Sequence, residues 1–170
     1  AVNIFFTVVA KLKYKKRQTT YALDFRPFVS IIVPAKNEEK VIENTVRALM
    51  QLSYHNNNGE PNYELMVVDD ASTDKTLEIL NSLQKEFPNL RTHHREQVPN
   101  PSKAAVLNDI LDKCKAEIQV IFDADARVAP DFLERIIPYL SDTTVGGVQA
   151  QKRISNPDVN ELTAAQEDEM

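Results

Sequence analysis

The sequence predicts an α/β fold, a mostly parallel sheet with helices on both faces, and two observations lead there. Short runs rich in Val, Ile and Leu alternate with longer stretches whose apolar residues recur at helical spacing. Three of those runs lead straight into polar or acidic residues, which a parallel sheet would gather on one edge. Val29 to Val33 ends in Pro34-Ala35-Lys36-Asn37-Glu38, Glu64 to Val68 in Asp69-Asp70, and Ile118 to Phe122 in Asp123-Ala124-Asp125. Open α/β sheets bind their ligands at that edge.

In chain order, residues 1–10 (AVNIFFTVVA) are apolar and are followed by Lys11, Lys13, Lys15, Lys16 and Arg17. A ten-residue helix is roughly 15 Å long, about half a bilayer core, and cannot span alone. An apolar run against a basic cluster resembles the cytoplasmic end of a membrane helix. Residues 1–17 are therefore expected to be the end of a membrane-proximal segment, its start lying upstream of Ala1. A surface amphipathic segment or a short strand is the plainer alternative.

From Phe28 the alternation begins. A buried strand at Val29 to Val33 precedes a helix from about Glu39 to Leu52, with Ile42, Val46, Leu49 and Met50 on one face. The loop His55 to Asn62 is rich in turn formers, and His55 reads as a solvent residue. After the strand at Glu64 to Val68, Ser72 and Thr73 are expected to cap a helix bearing Leu77, Leu80, Leu83 and Phe87. A short strand at Leu90 to His94, a loop at Gln97 to Pro101 and a helix from Ser102 to Lys115 follow. The run Ile118 to Phe122 reads as a buried strand. Pro130 and Asp131 open another helix with Leu133, Ile136, Ile137 and Leu140 inside. Val145 to Ala150 is predicted as a strand, and Glu161 to Met170 as the start of a helix.

Composition narrows the function. The 170 residues are 42% hydrophobic and 26% charged, with a net charge of −5. That acidic balance argues against a nucleic-acid surface, which needs a basic stripe. The single cysteine, Cys114, follows Leu107, Ile110 and Leu111 at helical intervals and reads as packing. Only three glycines are present, Gly59, Gly146 and Gly147. Neither a P-loop nor a G-x-G-x-x-G turn can be built from them. Any bound nucleotide must have its phosphates neutralised by side chains and a metal.

In an extended strand, residues two apart share a face, so Asp123 and Asp125 could present both carboxylates together. Two hard oxygen donors suit Mg²⁺ or Mn²⁺ better than Zn²⁺. Taken singly, each acidic strand end has an ordinary explanation as a turn former or a helix N-terminal acid. Gathered on one edge, the carboxylates repel one another unless a cation or a donor-rich ligand joins them. Lys103, at the start of a helix, is the cation placed to help.

Four ordered motifs carry a resemblance: VSIIVPAKNEEKVIENTV, VVDDASTDKT, SKAAVLN and IFDADARVAPDFL. Together they resemble glycosyltransferase family 2 over about Val29 to Met170. The resemblance implies the GT-A (Rossmann-like) fold, C-terminally truncated here, and UDP-sugar-dependent, inverting transfer. The tail VQAQKRISNPDVNELTAAQEDEM is similar to the membrane-bound synthase branch. That branch includes cellulose, hyaluronan and poly-N-acetylglucosamine synthases and the cyanobacterial enzymes that glucosylate diacylglycerol.

By that resemblance, residues 28–170 are the nucleotide-sugar-binding part of the domain. Pro34, Ala35 and Glu38 would line the uridine pocket, with Asp70 accepting from the uracil. Lys103 would sit near the phosphates. Asp123 would lie on the ribose or sugar side and share the metal, Mg²⁺ or Mn²⁺, with Asp125. The family's usual G-K-A is Ser102-Lys103-Ala104 here. Its general base lies beyond Met170, and Glu167, Asp168 and Glu169 are not substitutes for it. The implied partners are a UDP-sugar donor and a lipid or glycan acceptor at a membrane, with the catalytic domain facing the cytoplasm. Two alternatives remain: an inactive nucleotide-sugar-binding or structural remnant, and a D-x-D phosphatase. The phosphatase fits poorly, since Arg127 stands where Thr or Val is wanted and the motif falls on about the fourth strand.

Overall fold

A computed structural model describes residue 22, residues 24–96 and residues 102–150. The expected membrane-proximal segment at 1–17, the loop at 97–101 and the helix at 161–170 lie outside the described residues. The elements are β1 (Val29–Ala35), α1 (Ile42–Leu49), β2 (Tyr63–Asp70), α2 (Thr76–Glu86), β3 (Leu90–Arg95), α3 (Lys103–Leu111), β4 (Ile118–Ile121) and α4 (Phe132–Ile136). A 3-10 helix over Ile137–Ser141 continues α4. Pro138 supplies no N–H there, so the α-type ladder cannot run on.

All four strands are parallel, in the order β3-β2-β1-β4. From β1 the chain winds outward through β2 to β3, then crosses back to place β4 on the other side of β1. The strand order therefore reverses between β1 and β4. A crevice opens at such a reversal outside the C-terminal strand ends.

Side-chain alternation divides the core between the two faces of the sheet. Val29, Ile31, Val33, Leu65, Val67 and Leu90 pack with Ile42, Val46 and Leu49 of α1, Leu80 and Leu83 of α2, and Leu133 of α4. Ile32, Met66 and Val68 face the other way, onto Val106 and Ile110 of α3, with Cys114 beside them. Most of the helix faces predicted from periodicity are buried, but Leu77 is only half-buried and Leu111 is exposed; His55 is exposed as expected.

At the N-terminal end of the sheet, Glu64 is 2% exposed. It accepts hydrogen bonds from Ser30 Oγ at 2.7 Å, the Lys115 amide at 2.7 Å and Arg91 Nη1 at 2.9 Å. Burial works against its charge, yet these donors outweigh it and hold the carboxyl below its ordinary range. One side chain thus ties β1, β2 and β3 to the turn before β4.

Four expectations need correction. β1 extends past Val33 through Pro34 to Ala35. The Pro34 position points its missing N–H toward β4, whose ladder has already ended at the Ile32–Ile121 pair, so no bond is lost. Second, α1 begins at Ile42 rather than Glu39, the chain first passing through left-handed Asn37 and a turn closed by the Val41 amide on the Glu38 carbonyl at 3.0 Å. Third, β4 is not fully buried. It lies at the edge of the described sheet, and Ile118 and Val120 pack inward while Gln119 and Ile121 are exposed. Fourth, Val145 to Ala150 forms no strand. Gly146 and Gly147 lie at its centre, and only Val145 is even half-buried.

Candidate functional site

The reversal in strand order places three loops around one cleft. Its cavity is about 580 Å³, lined by Pro34, Ala35, Lys36 and Glu38 after β1, and by Asp70 at the end of β2. Ser102, Lys103 and Val106 of the α3 region and Asp123, Ala124 and Asp125 after β4 complete it. Every site residue expected from the sequence therefore lies on one cavity. That volume suits a nucleotide-sized ligand.

The loop after β1 is held rigidly against the loop after β2. Asn37 adopts φ 56°, a left-handed conformation that asparagine tolerates better than most residues. Its amide donates to Ser72 Oγ at 2.9 Å, and its Oδ1 accepts from the Thr73 amide at 2.8 Å. The Glu38 amide donates to Thr76 Oγ1 at 2.8 Å, and the Lys75 amide to Glu39 Oε2 at 3.1 Å. Ser72 and Thr73, expected as helix caps, are thus spent on stitching the two loops. The N-cap position falls on Lys75, which makes no side-chain cap bond, and Asp74 just before it accepts from the first helical amide, that of Thr76, through Oδ1 at 2.9 Å. The hydrogen bonds it accepts from Thr76 and Glu39 outweigh its desolvation and hold its carboxyl low.

Asp69 and Asp70 are neighbours with opposite surroundings. Asp69 is fully buried on the α1/α2 face, and its Oδ2 lies 2.7 Å from Nδ1 of its register partner, His94. Asp70 faces the cleft, and its register partner is Arg95. Arg95 Nη1 donates to Asp70 Oδ1 at 2.5 Å, while Nε and Nη2 grip Asp109 Oδ2 of α3 at 2.8 and 2.7 Å. Lys36 Nζ stands 3.7 Å from Asp70 Oδ2.

The D-x-D segment reaches the cleft by a different route from the one predicted. The strand ends at Ile121, and Asp123 to Ala126 form a turn closed by the Ala126 amide on the Asp123 carbonyl at 3.0 Å. Strand parity is therefore not what unites the two carboxylates. Ala124 is 5% exposed and anchors the turn, with its carbonyl accepting from Thr45 Oγ1 of α1 at 2.7 Å. With Ala124 pinned inward, Asp123 and Asp125 both line the cavity.

Lys103 opens α3 and forms a salt bridge with Asp123. Ser102 is the true N-cap, extended at φ −145° and accepting from the Ala105 amide at 3.1 Å. Serine thus serves the helix start where the family pattern has glycine. The edge is also less negative than the sequence suggests, because Lys36, Lys103 and Arg95 stand among its carboxylates. Lys36, Arg95 and the loop stitch were missed as site features. Arg95 lies at the end of an ordinary short strand, and only register reveals its partner.

A divalent ion fits the residues present. Asp123 and Asp125 offer hard carboxylate oxygens on an open cavity, where water and ligand oxygens can complete an octahedral shell. Among the described residues no group of three or more His, Cys, Asp or Glu side chains is gathered to hold an ion unaided. A cation here would be shared with its ligand.

Comparison with known proteins agrees with this geometry. The chain is 42% identical over 144 residues to a beta-monoglucosyldiacylglycerol synthase of Nostoc, covering 85% of this chain and 30% of the relative. A Synechocystis protein of the same name is 39% identical over 144 residues, covering 85% of this chain and 29% of the relative. The chain thus spans about three-tenths of these relatives' length. Among solved structures, a mannosyltransferase from Pyrobaculum calidifontis in complex with GDP-Man and Mn²⁺ superposes with a TM-score of 0.72 at 34% identity, covering 88% of this chain and 43% of that one. Glucosyl-3-phosphoglycerate synthase of Mycobacterium tuberculosis, with Mn²⁺, UDP-Glc and phosphoglyceric acid, gives 0.51 at 28% identity, covering 68% and 40%. The profile of the Glycosyl transferase family 2 matches residues 30–169. With four-fifths of its length inside that match, and with the parallel sheet its structural neighbours share, this chain belongs to glycosyl transferase family 2.

Proposed function

We propose that this chain is the donor-binding part of a metal-dependent, inverting glycosyltransferase that uses a UDP-sugar and a lipid or glycan acceptor. One observation carries the reading: Glu38, Asp70, Lys103, Asp123 and Asp125 line a single cleft where the strand order reverses. The names of the Nostoc and Synechocystis relatives support glucose as the sugar and a diacylglycerol-type acceptor. The apolar run at 1–10 with its basic flank supports a membrane-associated protein whose catalytic part faces the cytoplasm.

In this reading Pro34, Ala35 and Glu38 wall the nucleoside pocket, and Asp70 Oδ2 accepts from the base. Lys103 neutralises the diphosphate. Asp123 and Asp125 hold Mg²⁺ or Mn²⁺, which when bound supplies Lewis-acid stabilisation of the departing diphosphate. The acceptor hydroxyl attacks the anomeric carbon opposite the UDP. The carbon–oxygen bond to UDP breaks with its electron pair going to the diphosphate, while the hydroxyl proton passes to a carboxylate base outside these groups. Lys103 and the stitched loops are in place before the charge develops, which is how preorganised sites lower a barrier.

The Pyrobaculum structure, in complex with GDP-Man, favours a second reading in which the donor carries guanine. Calorimetric titration of the intact protein tests both. UDP, UDP-glucose and GDP are titrated with Mn²⁺ or Mg²⁺ and again with EDTA, with Asp125→Ala as control. Saturable, metal-dependent binding of a nucleoside diphosphate is expected. A folded protein that binds none of them would leave the structural-remnant reading standing, and phosphate release from a simple phosphomonoester would revive the phosphatase.

A further inference from the structure

We infer that Arg95, held from behind by Asp109, is a positioning residue that sets which base the cleft accepts. The inference rests on the donor reading above and narrows it to uracil. Arg95 has a side chain 5% exposed, at the end of β3, in register with Asp70. Its Nη1 bond occupies Asp70 Oδ1, and its other two nitrogens are clamped on Asp109 Oδ2. The Asp70 carboxylate therefore cannot turn, and one oxygen is already committed. What faces the cleft is a single acceptor, Oδ2, with one donor 3.7 Å away, the Lys36 ammonium.

That pairing matches an imide edge. Uracil presents one N–H flanked by carbonyls, so the N–H can meet Asp70 Oδ2 while the neighbouring carbonyl accepts from Lys36. Guanine presents a carbonyl, a ring N–H and an amino group in a row. A carboxylate with both oxygens available would take the two donors together, but with Oδ1 on Arg95 the Asp70 carboxylate cannot meet both in that bidentate way. Guanine thereby loses a paired contact to Asp70 while uracil keeps its own, which is a basis for discrimination. Asp70 alone would suit either base; Arg95 is what makes it selective.

The test is the ratio of UDP to GDP affinity, measured by calorimetry with Mn²⁺ on the intact protein. The native protein is expected to favour UDP by about tenfold or more. Arg95→Met should weaken UDP binding by about tenfold and bring the ratio toward one. Arg95→Lys, which can still donate to Oδ1, should keep most of the preference. Asp109→Asn, whose amide oxygen can still accept, loosens the exposed clamp without stranding the buried guanidinium, and should move the ratio the same way by less. Where Arg95→Met does not fold, the Asp109→Asn ratio decides between the two outcomes. Variants that melt earlier yet keep the native ratio would reduce Arg95 to a structural role and overturn the inference, as would a native protein that prefers GDP. A native protein that binds neither nucleotide would instead sink the donor reading beneath it.

Discussion

Lys103 and Asp123, both lining the cleft, form a salt bridge between the first residue of α3 and the turn after β4. Both side chains keep substantial exposure, 46% and 34%, so the pair is poised at a surface that a ligand can enter. In the proposed function the lysine balances the carboxylate's charge, and a bound diphosphate and metal would divide the two between them. Lys103→Met is therefore expected to weaken UDP binding in Mn²⁺ by about tenfold. Binding of Mn²⁺ alone should be unchanged or tighter, because Asp123 loses its competing cation. Paired titrations with Mn²⁺ and with Mn²⁺ plus UDP read the two effects separately.

In the proposed function Asp125 would contribute in another way. Asp125→Asn should remove about tenfold or more of the gain that Mn²⁺ gives to UDP binding, while leaving the metal-free affinity in place. A variant whose UDP affinity still rises with Mn²⁺ as in the native protein would show that the ion sits elsewhere.

At the far end of the sheet, Glu64 should matter for stability and not for ligand. Glu64→Gln removes a charge-assisted bond to Arg91 and is expected to cost about 2 kcal/mol at neutral pH. The native carboxyl has a lowered pKa, so its contribution is fully present above the unfolded-state value, about 4.3. That contribution disappears as pH falls through the lower folded value. Thermal melting of both proteins from neutral to acid pH should show the gap between them closing only on the acid side.

Asn37 combines a left-handed backbone with two side-chain bonds, and substitutions can separate these. Asn37→Gly keeps the conformation and loses the bonds to Thr73, for about 1 kcal/mol. Asn37→Ala loses both, for about 2 kcal/mol. Equal melting temperatures for the two variants would show that the φ of 56° is not strained in this loop.

Much of this was legible in the chain itself, for identifiable reasons. Periodicity located the packed faces of α1 and α2, because Ile42, Val46 and Leu49, or Leu80 and Leu83, answer to local geometry alone, but it did not single out Val106 of α3. The acidic strand ends pointed to the cleft because a parallel sheet sends all its C-terminal ends one way. What was hidden depended on which strands become neighbours. β4 reads as buried from its apolar residues, but it is an edge among the described strands, and Ile121 is 45% exposed. Ser72 and Thr73 have cap chemistry but meet Asn37, a residue 35 or more positions away. Arg95 gains its meaning only when β2 and β3 lie side by side.

The two aspartates ending β2 owe their different fates to parity alone. Slipping that strand by a single residue, through one insertion or deletion, would send Asp69 toward the cleft and drive Asp70 into the α1/α2 face. Each would lose its register partner at once, His94 for one and Arg95 for the other. A reading frame of pleats is thus imposed on this segment: point changes in β2 are open to compensation, whereas any change in its length scrambles cleft and core together.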